Sequence, residues 1–318
     1  MKHLAAAIVA SCLASWAAQA AGLKEIEIAA DANGPAIQAL ILTPCVTPPT
    51  EVKLLGGRLV LPGVAECPIV DDKLPLIVIS HSLGGWFASH LDTAQALADG
   101  GFVVVALNHP RDSGLDMTKA NDKPALTERP TDIKRLIDYM LQSSPVMAKI
   151  DPERIGFFGF SRGGYAGLVL AGAVPRYPMW LSVWWQIADW ASQSPEPPRL
   201  PVNDSRIKAF VIADPLSFSP DGESLQMVTA PLQLWGSQYG GQSVTPEKVA
   251  AVASSLRARP EFHSVPNSTH MSYLMPCTPA LAKVAGEACI DPAGFDRAAF
   301  HEQFNAQVLT FFRKNLSE

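Results

Sequence analysis

A chain of 318 residues, 48% of them hydrophobic and 17% charged, carries enough apolar material for one large core and excludes a disordered or low-complexity protein. A formal net charge of −5, with no cluster of Lys and Arg, leaves no electrostatic footprint for nucleic acid. Small or neutral substrates fit this composition better.

Residues 1–20 read as a secretory signal peptide. Lys2 and His3 give a short basic start, an apolar run extends through Ala17, and Ala18-Gln19-Ala20 forms a small-residue cleavage site before Ala21. The run falls short of the roughly 20 apolar residues of a spanning helix, and no comparable run follows. Soluble export to the periplasm or beyond, without stable membrane insertion, is therefore expected. Val9-Ala10-Ser11-Cys12 also has the look of a lipoprotein cleavage box, but apolar sequence continues past Cys12. Cleavage after residue 20 would leave Cys45, Cys67, Cys277 and Cys289 in an oxidising compartment. Two local pairs, Cys45 with Cys67 and Cys277 with Cys289, are the simplest of the three connectivities. No Cys-x-x-Cys occurs and no His stands near enough to complete a zinc site, so no metal centre is expected.

Beyond residue 25, apolar runs alternate with amphipathic stretches, the pattern of strand-helix-strand units in a mostly parallel sheet with helices on both faces. The Pro-rich stretch 43–68 reads as an ornamented loop between edge strands. Continuous β-branched runs predict strands over 74–79 and 101–106, with a crossover helix over 91–98 between them. Ile133, Leu136, Ile137 and Met140 repeat at helical spacing, and strands follow at 154–158, 207–213, 231–235 and 261–265. An amphipathic helix over 296–314 closes the chain. Residues 21–318 thus form one domain. Within it, 175–205 stands out as a cap insertion, because Trp180, Trp184, Trp185 and Trp190, four of the seven Trp, crowd into its first part. Trp184 and Trp185 are candidates for lining an apolar substrate pocket; a helix pair packed on the core is the alternative.

Gly159-Phe160-Ser161-Arg162-Gly163 follows an apolar strand and precedes a helix-forming run. A G-x-S-x-G pattern is common by chance, but in this setting it describes a nucleophile elbow, a tight turn that lifts a Ser hydroxyl clear of the sheet. A Ser hydroxyl is a weak nucleophile near neutral pH, so a His must take its proton and a carboxylate must hold that His in one tautomer. His270 leaves the strand that ends near Val265 and fits the base. His263, within that strand, and His301, on the last helix, read as structural. The acid is harder to place. The loop after the strand at 231–235 has no carboxylate before Glu247, whereas Asp214 stands at the carboxyl end of the preceding strand, on the sheet edge where ligand sites gather. Asp214 is the first choice and Glu247 the second. The amide of Arg162, just after the nucleophile, and that of Leu83, in Ser80-His81-Ser82-Leu83-Gly84-Gly85, are the candidate oxyanion donors. His81 reads as a brace for that loop, and the Arg162 side chain as half of an ion pair or as an anion contact.

These residues resemble the platelet-activating-factor acetylhydrolase and dienelactone-hydrolase-like branch of the α/β-hydrolases, over roughly residues 73–315. Ser80-His81-Ser82-Leu83-Gly84 resembles the branch's Ser-His-Gly-Leu-Gly oxyanion segment, with Ser82 in place of Gly. The run 101–109 resembles its strand leading to a His-containing loop, 159–164 its elbow, and Asp214 the acid that the acetylhydrolases carry. The stretch from His270 through Cys289 to Arg297 is similar to bacterial secreted members. True dienelactone hydrolases use a Cys nucleophile, so their substrate does not transfer to Ser161. The resemblance implies an α/β-hydrolase fold and cleavage of small-molecule or lipid esters with short to medium acyl chains. The chemistry itself requires no metal or organic cofactor. A lipase or phospholipase, an amidase or peptidase, and a non-catalytic binding protein on the same scaffold are the alternatives.

Overall fold

The computed structural model describes residues 21–118, 120, 124–174, 203–217 and 223–317. Residues 1–20, expected as a signal peptide, and residues 175–202 of the expected cap insertion, with Trp184 and Trp185, lie outside them. Ten strands form one sheet: β1 (Gly22–Ile28), β2 (Ile37–Thr43), β3 (Thr50–Leu54), β4 (Leu59–Ala65), β5 (Leu74–Ser80), β6 (Val103–Leu107), β7 (Ile150–Phe160), β8 (Ile207–Ala213), β9 (Leu232–Ser237) and β10 (Glu261–Val265). Their order is β10-β9-β8-β7-β5-β6-β2-β1-β4-β3. From β6 to β10 every pairing is parallel, while β2 joins β6 and β1 in antiparallel fashion. Among the described residues the α-helices are α1 (Leu91–Asp99), α2 (Pro124–Thr127), α3 (Arg129–Gln142), α4 (Arg162–Leu170), α5 (Pro246–Ser255), α6 (Pro279–Ala285) and α7 (Arg297–Asn315).

Strand β6, residues 74–79 of β5, 155–160 of β7 and 209–213 of β8 are apolar without interruption because both faces are covered, and successive residues serve opposite layers. Leu76, Val78, Val105, Phe157, Phe210 and Ile212 share a core with Ile133, Leu136, Ile137 and Met140 of α3 and with the buried face of α4. Their neighbours Ile77, Ile79, Val104, Phe158, Phe160 and Val211 face the other way, onto Leu97 of α1 and Phe304, Val308, Phe311 and Phe312 of α7. Each such Phe or Leu contributes roughly 1.5–3 kcal/mol by leaving water. Helix α7 is punctuated at both ends: Asp296 accepts from the Ala299 amide at its start, and Arg313 and Lys314 occupy its last turn.

One expectation is corrected. The stretch 43–68 is not a loop but contains the hairpin β3–β4, which extends the sheet and ends its edge. Val52 and Leu54 are buried at alternate positions and give it a core face, while Pro62 stands opposite Glu51 near the edge, where a missing N–H is tolerated. The Pro content masked that alternation. Cys45 and Cys67 are bonded across this hairpin, with Cα atoms 5.9 Å apart, and Cys277 is bonded to Cys289 at 5.8 Å.

Candidate active site

Strand β7 carries the chain up through the core and ends at Phe160, and α4 begins at Arg162. Between them Ser161 holds φ 57° and ψ −113°, a strained conformation for a residue with a side chain. Two flanking glycines allow it. A Cβ on Gly159 would collide with the carbonyl of Gly163, and one on Gly163 would collide with the carbonyl of Ser80 at the end of β5. The turn is locked from the main chain: the Ser161 amide donates to the Ala213 carbonyl at 3.0 Å, and the Ser161 carbonyl accepts from the amides of Tyr165 and Leu216 at 2.9 and 3.0 Å. The elbow is thereby tied to the end of β8.

Asp214 is the next residue of that strand end and is fully buried. Its Oδ1 accepts from the Ser237 amide at 2.8 Å, and its Oδ2 accepts from the Ser237 hydroxyl at 2.5 Å. The same Oδ2 lies 3.1 Å from Nδ1 of His270. His270 opens a short 3-10 turn, His270–Tyr273, after β10; its amide donates to the Gly240 carbonyl at 2.8 Å, and its ring lies against Phe160 with centroids 4.5 Å apart. With Nδ1–H directed at the carboxylate, Nε2 carries the lone pair, and this buried atom has no partner among the described residues. The structure thus brings Asp214 and His270 together beside the Phe160-Ser161 corner. Glu247 is elsewhere, exposed in the first turn of α5, where hydrogen bonds to Thr245 and to its own amide hold its carboxyl below the usual range.

The donor segment after β5 turns tightly, with the Gly85 amide on the Ser82 carbonyl at 3.2 Å. Gly84 takes the left-handed position, φ 64°, and Ser82 does not, so a Ser in place of the resembled Gly carries no backbone strain. The Arg162 amide opens α4, where the first amides have no acceptor within the helix. His81 braces the segment as expected: its Nδ1–H donates to the Ser82 carbonyl at 2.6 Å, and its Nε2 accepts from the His109 amide at 3.2 Å. Burial, and then the charge of Arg129, hold this ring neutral.

Three partners had escaped sequence reasoning. The guanidinium of Arg129, buried at the head of α3, donates to the carbonyls of both His81 and Ser82, the latter at 3.2 Å, and pairs with Asp112 at 2.8 Å. Asp112 also takes Arg162 at 3.2 Å, and Arg162 donates to the Ala120 carbonyl at 2.5 Å. The Arg162 side chain is therefore an ion-pair partner. One carboxylate thus ties the donor segment to the elbow. A charged residue opening an amphipathic helix reads as solvent-facing, and nothing in the sequence marked Arg129 as buried. Ser237 had a signal: it is the last residue of β9, two positions past the predicted strand end at 235 and at the same sheet edge as Asp214. His263 stacks on Trp235 at 4.1 Å and bonds Glu261 at 2.9 Å, while His301 bonds Asp92 and the Ser272 carbonyl at 2.6 and 2.9 Å, so both have structural partners. Among the described residues, no group of three His, Cys, Asp or Glu could hold a metal, and no helix is long and apolar enough to cross a membrane.

Residues 52–155 match the family of platelet-activating factor acetylhydrolase, isoform II. That span runs from β3 into β7 and includes the donor segment and Arg129 but stops short of Ser161. No curated protein matches the chain in sequence. Among solved structures the chain is similar to a ferulic acid esterase from Streptomyces cinnamoneus, at 16% identity and a TM-score of 0.65, over 95% of this chain and 91% of that one. At that identity the likeness shows a shared fold.

Proposed function

We propose that the chain, whose residues 52–155 match the platelet-activating factor acetylhydrolase family, is a carboxylic ester hydrolase that cleaves small-molecule esters through Ser161, His270 and Asp214. The carrying observation is the buried contact of Asp214 Oδ2 with His270 Nδ1 next to the strained turn at Ser161. In this reading His270 Nε2 takes the proton of Ser161 as its oxygen attacks the acyl carbon. The amides of Leu83 and Arg162 hold the negative charge that develops on the carbonyl oxygen, and His270 then passes its proton to the departing alkoxide. Water, deprotonated by the same ring, attacks the acyl-enzyme; the tetrahedral adduct collapses and returns the proton to Ser161. Asp214 keeps His270 in the tautomer that both halves require and stabilises its transient positive charge.

The family's acetylhydrolase character favours short to medium acyl groups, and the two disulfides are compatible with export after removal of residues 1–20. In the same reading residues 21–318 are one hydrolase domain, and 175–205 caps the site, with Trp184 and Trp185 against the acyl group. Activity on 4-nitrophenyl esters from acetate to palmitate, in wild type and Ser161→Ala, tests the proposal. It predicts turnover that peaks at or below octanoate and falls by at least a thousandfold in the variant. A Ser161→Ala protein with full activity would overturn it, and a preference for long chains at an interface would turn it towards a lipase.

A further inference from the structure

Beneath the donor segment lies a second line of Ser, His and Asp. The Ser80 hydroxyl is 2.9 Å from His109 Nε2, and His109 Nδ1 is 3.0 Å from Asp132 Oδ2. The order of contacts is that of a hydrolytic triad, but all three residues are buried, Ser80 completely. Ser80 is also the last residue of β5, laddered to Gly159 of β7. No ester reaches that hydroxyl, so a second catalytic centre is excluded and the role must lie in what the three residues hold.

They hold the two parts of the candidate site against each other. The Ser80 main chain packs directly on Gly163 of the elbow, whose Cβ position would lie only 2.8 Å from the Ser80 hydroxyl. Ser80 is also the residue from which the donor segment departs. The His109 main-chain N–H donates to the ring of His81, and that ring donates to the Ser82 carbonyl. His109 therefore contacts the donor segment twice, at its root and at its brace, and Asp132 on α3 fixes the plane of the His109 ring.

We propose that Asp132 and His109 are positioning residues: by gripping Ser80 and the His81 ring they set the spacing between the Leu83 amide and Ser161. This rests on the reading of Ser161 as the nucleophile. Oxyanion donors act only where they meet the developing charge, and a displacement of about 1 Å can cost on the order of 10² in rate. The contacts survive either protonation state of the carboxyl. Burial first, and then Glu128, push Asp132 up to about 8, against the pull of Arg135, Arg129 and Arg111. Burial, with the charge of Arg129 next, keeps His109 neutral. When Asp132 is protonated it donates to Nδ1, and Nε2–H donates to Ser80. When it is ionised it accepts Nδ1–H, and the Ser80 hydroxyl donates to Nε2. The hydrogen bonds reverse direction while their geometry stays.

The test compares wild type, Ser80→Ala, His109→Ala and His109→Gln on 4-nitrophenyl butyrate, with active enzyme counted by complete fluorophosphonate labelling. Ser80→Ala and His109→Ala are expected to lose roughly ten- to a hundredfold in kcat per labelled site with KM within about threefold, because the loss falls on the transition state. His109→Gln, whose amide nitrogen can still reach Ser80, is expected to regain most of that loss. Ser80→Ala and His109→Ala with kcat per labelled site within twofold of wild type would overturn the relay, whatever their melting temperatures. Should His109→Ala not fold, Ser80→Ala decides alone, since it deletes one hydroxyl and adds nothing. A wild-type protein that neither labels nor cleaves would instead overturn the ester reading, and the relay as a kinetic device with it.

Discussion

The Ser237 hydroxyl donates to Oδ2 of Asp214 at 2.5 Å, the same oxygen that faces His270. Together with the Ser237 amide on Oδ1, this fixes the carboxylate in one plane before any substrate arrives. A charge-assisted bond of this kind is worth about 1.5–3 kcal/mol. Ser237→Ala keeps the amide contact and loses the hydroxyl, so kcat on a nitrophenyl ester is expected to fall about tenfold with KM nearly unchanged. An unaltered kcat would mean that the Asp214 plane is set by the main chain alone.

The choice between acids separates cleanly by rate. Asp214→Asn would present an amide to His270 Nδ1 and favour the wrong tautomer, a change that costs on the order of 10⁴ in kcat in a comparable Ser-His-Asp enzyme. Glu247→Gln alters an exposed residue in the first turn of α5 and should leave kcat within twofold. Far-ultraviolet circular dichroism of both variants checks that the comparison is between folded proteins. Loss of activity in Glu247→Gln with activity kept in Asp214→Asn would reverse the assignment.

The parts of the molecule that could be read in advance are those where one physical demand dominates. Strands β5, β6 and β8 must be largely apolar because both faces are covered, and Ser161, Asp214 and His270 each follow the end of a strand, a place that sequence order can locate. The hairpin β3–β4 was hidden because its Pro residues signal a loop more loudly than Val52 and Leu54 signal a buried face. Arg129, Asp112 and Asp132 were hidden for a different reason. Their burial depends on contacts between α3 and segments 17 to 48 residues earlier in the chain, and charged side chains carry no local mark of being enclosed.

Arg129 offers a test of stability apart from catalysis. It is buried with Asp112, and removing one partner of such a pair typically costs about 3–5 kcal/mol because the other charge is left uncompensated. Here Arg162 still reaches Asp112, so Arg129→Met is expected at the lower end of that range, read as a lowered urea midpoint with unchanged slope. Arg129→Met combined with Asp112→Leu should recover part of the loss. A single variant within about 0.5 kcal/mol of wild type would show that the carbonyls of His81 and Ser82 do not depend on the guanidinium.

Buried titrating groups of opposite kinds predict where stability peaks with pH. Burial holds His81 and His109 well below the ordinary 6.5 and lowers His90 to about 4, so between pH 4 and 6.5 the unfolded chain binds up to three protons that the folded chain refuses. Stability contributed by these rings rises with pH through that window and is complete above 6.5. Asp132 acts in reverse: raised from 3.8 to about 8 by burial, it stays protonated in the folded chain while the unfolded chain has released its proton, so its contribution falls from about pH 4 to 8. Below 6.5 the three rings outweigh the single carboxyl; above it only the carboxyl acts. Among these groups the balance therefore places maximum stability near pH 6.5, with a decline towards pH 8. Urea unfolding at half-unit intervals from pH 5 to 9 measures the curve, and Asp132→Asn should flatten its alkaline side and steepen the rise on its acid side, where the carboxyl no longer opposes the three rings. An unchanged alkaline slope in that variant would assign the decline to another group.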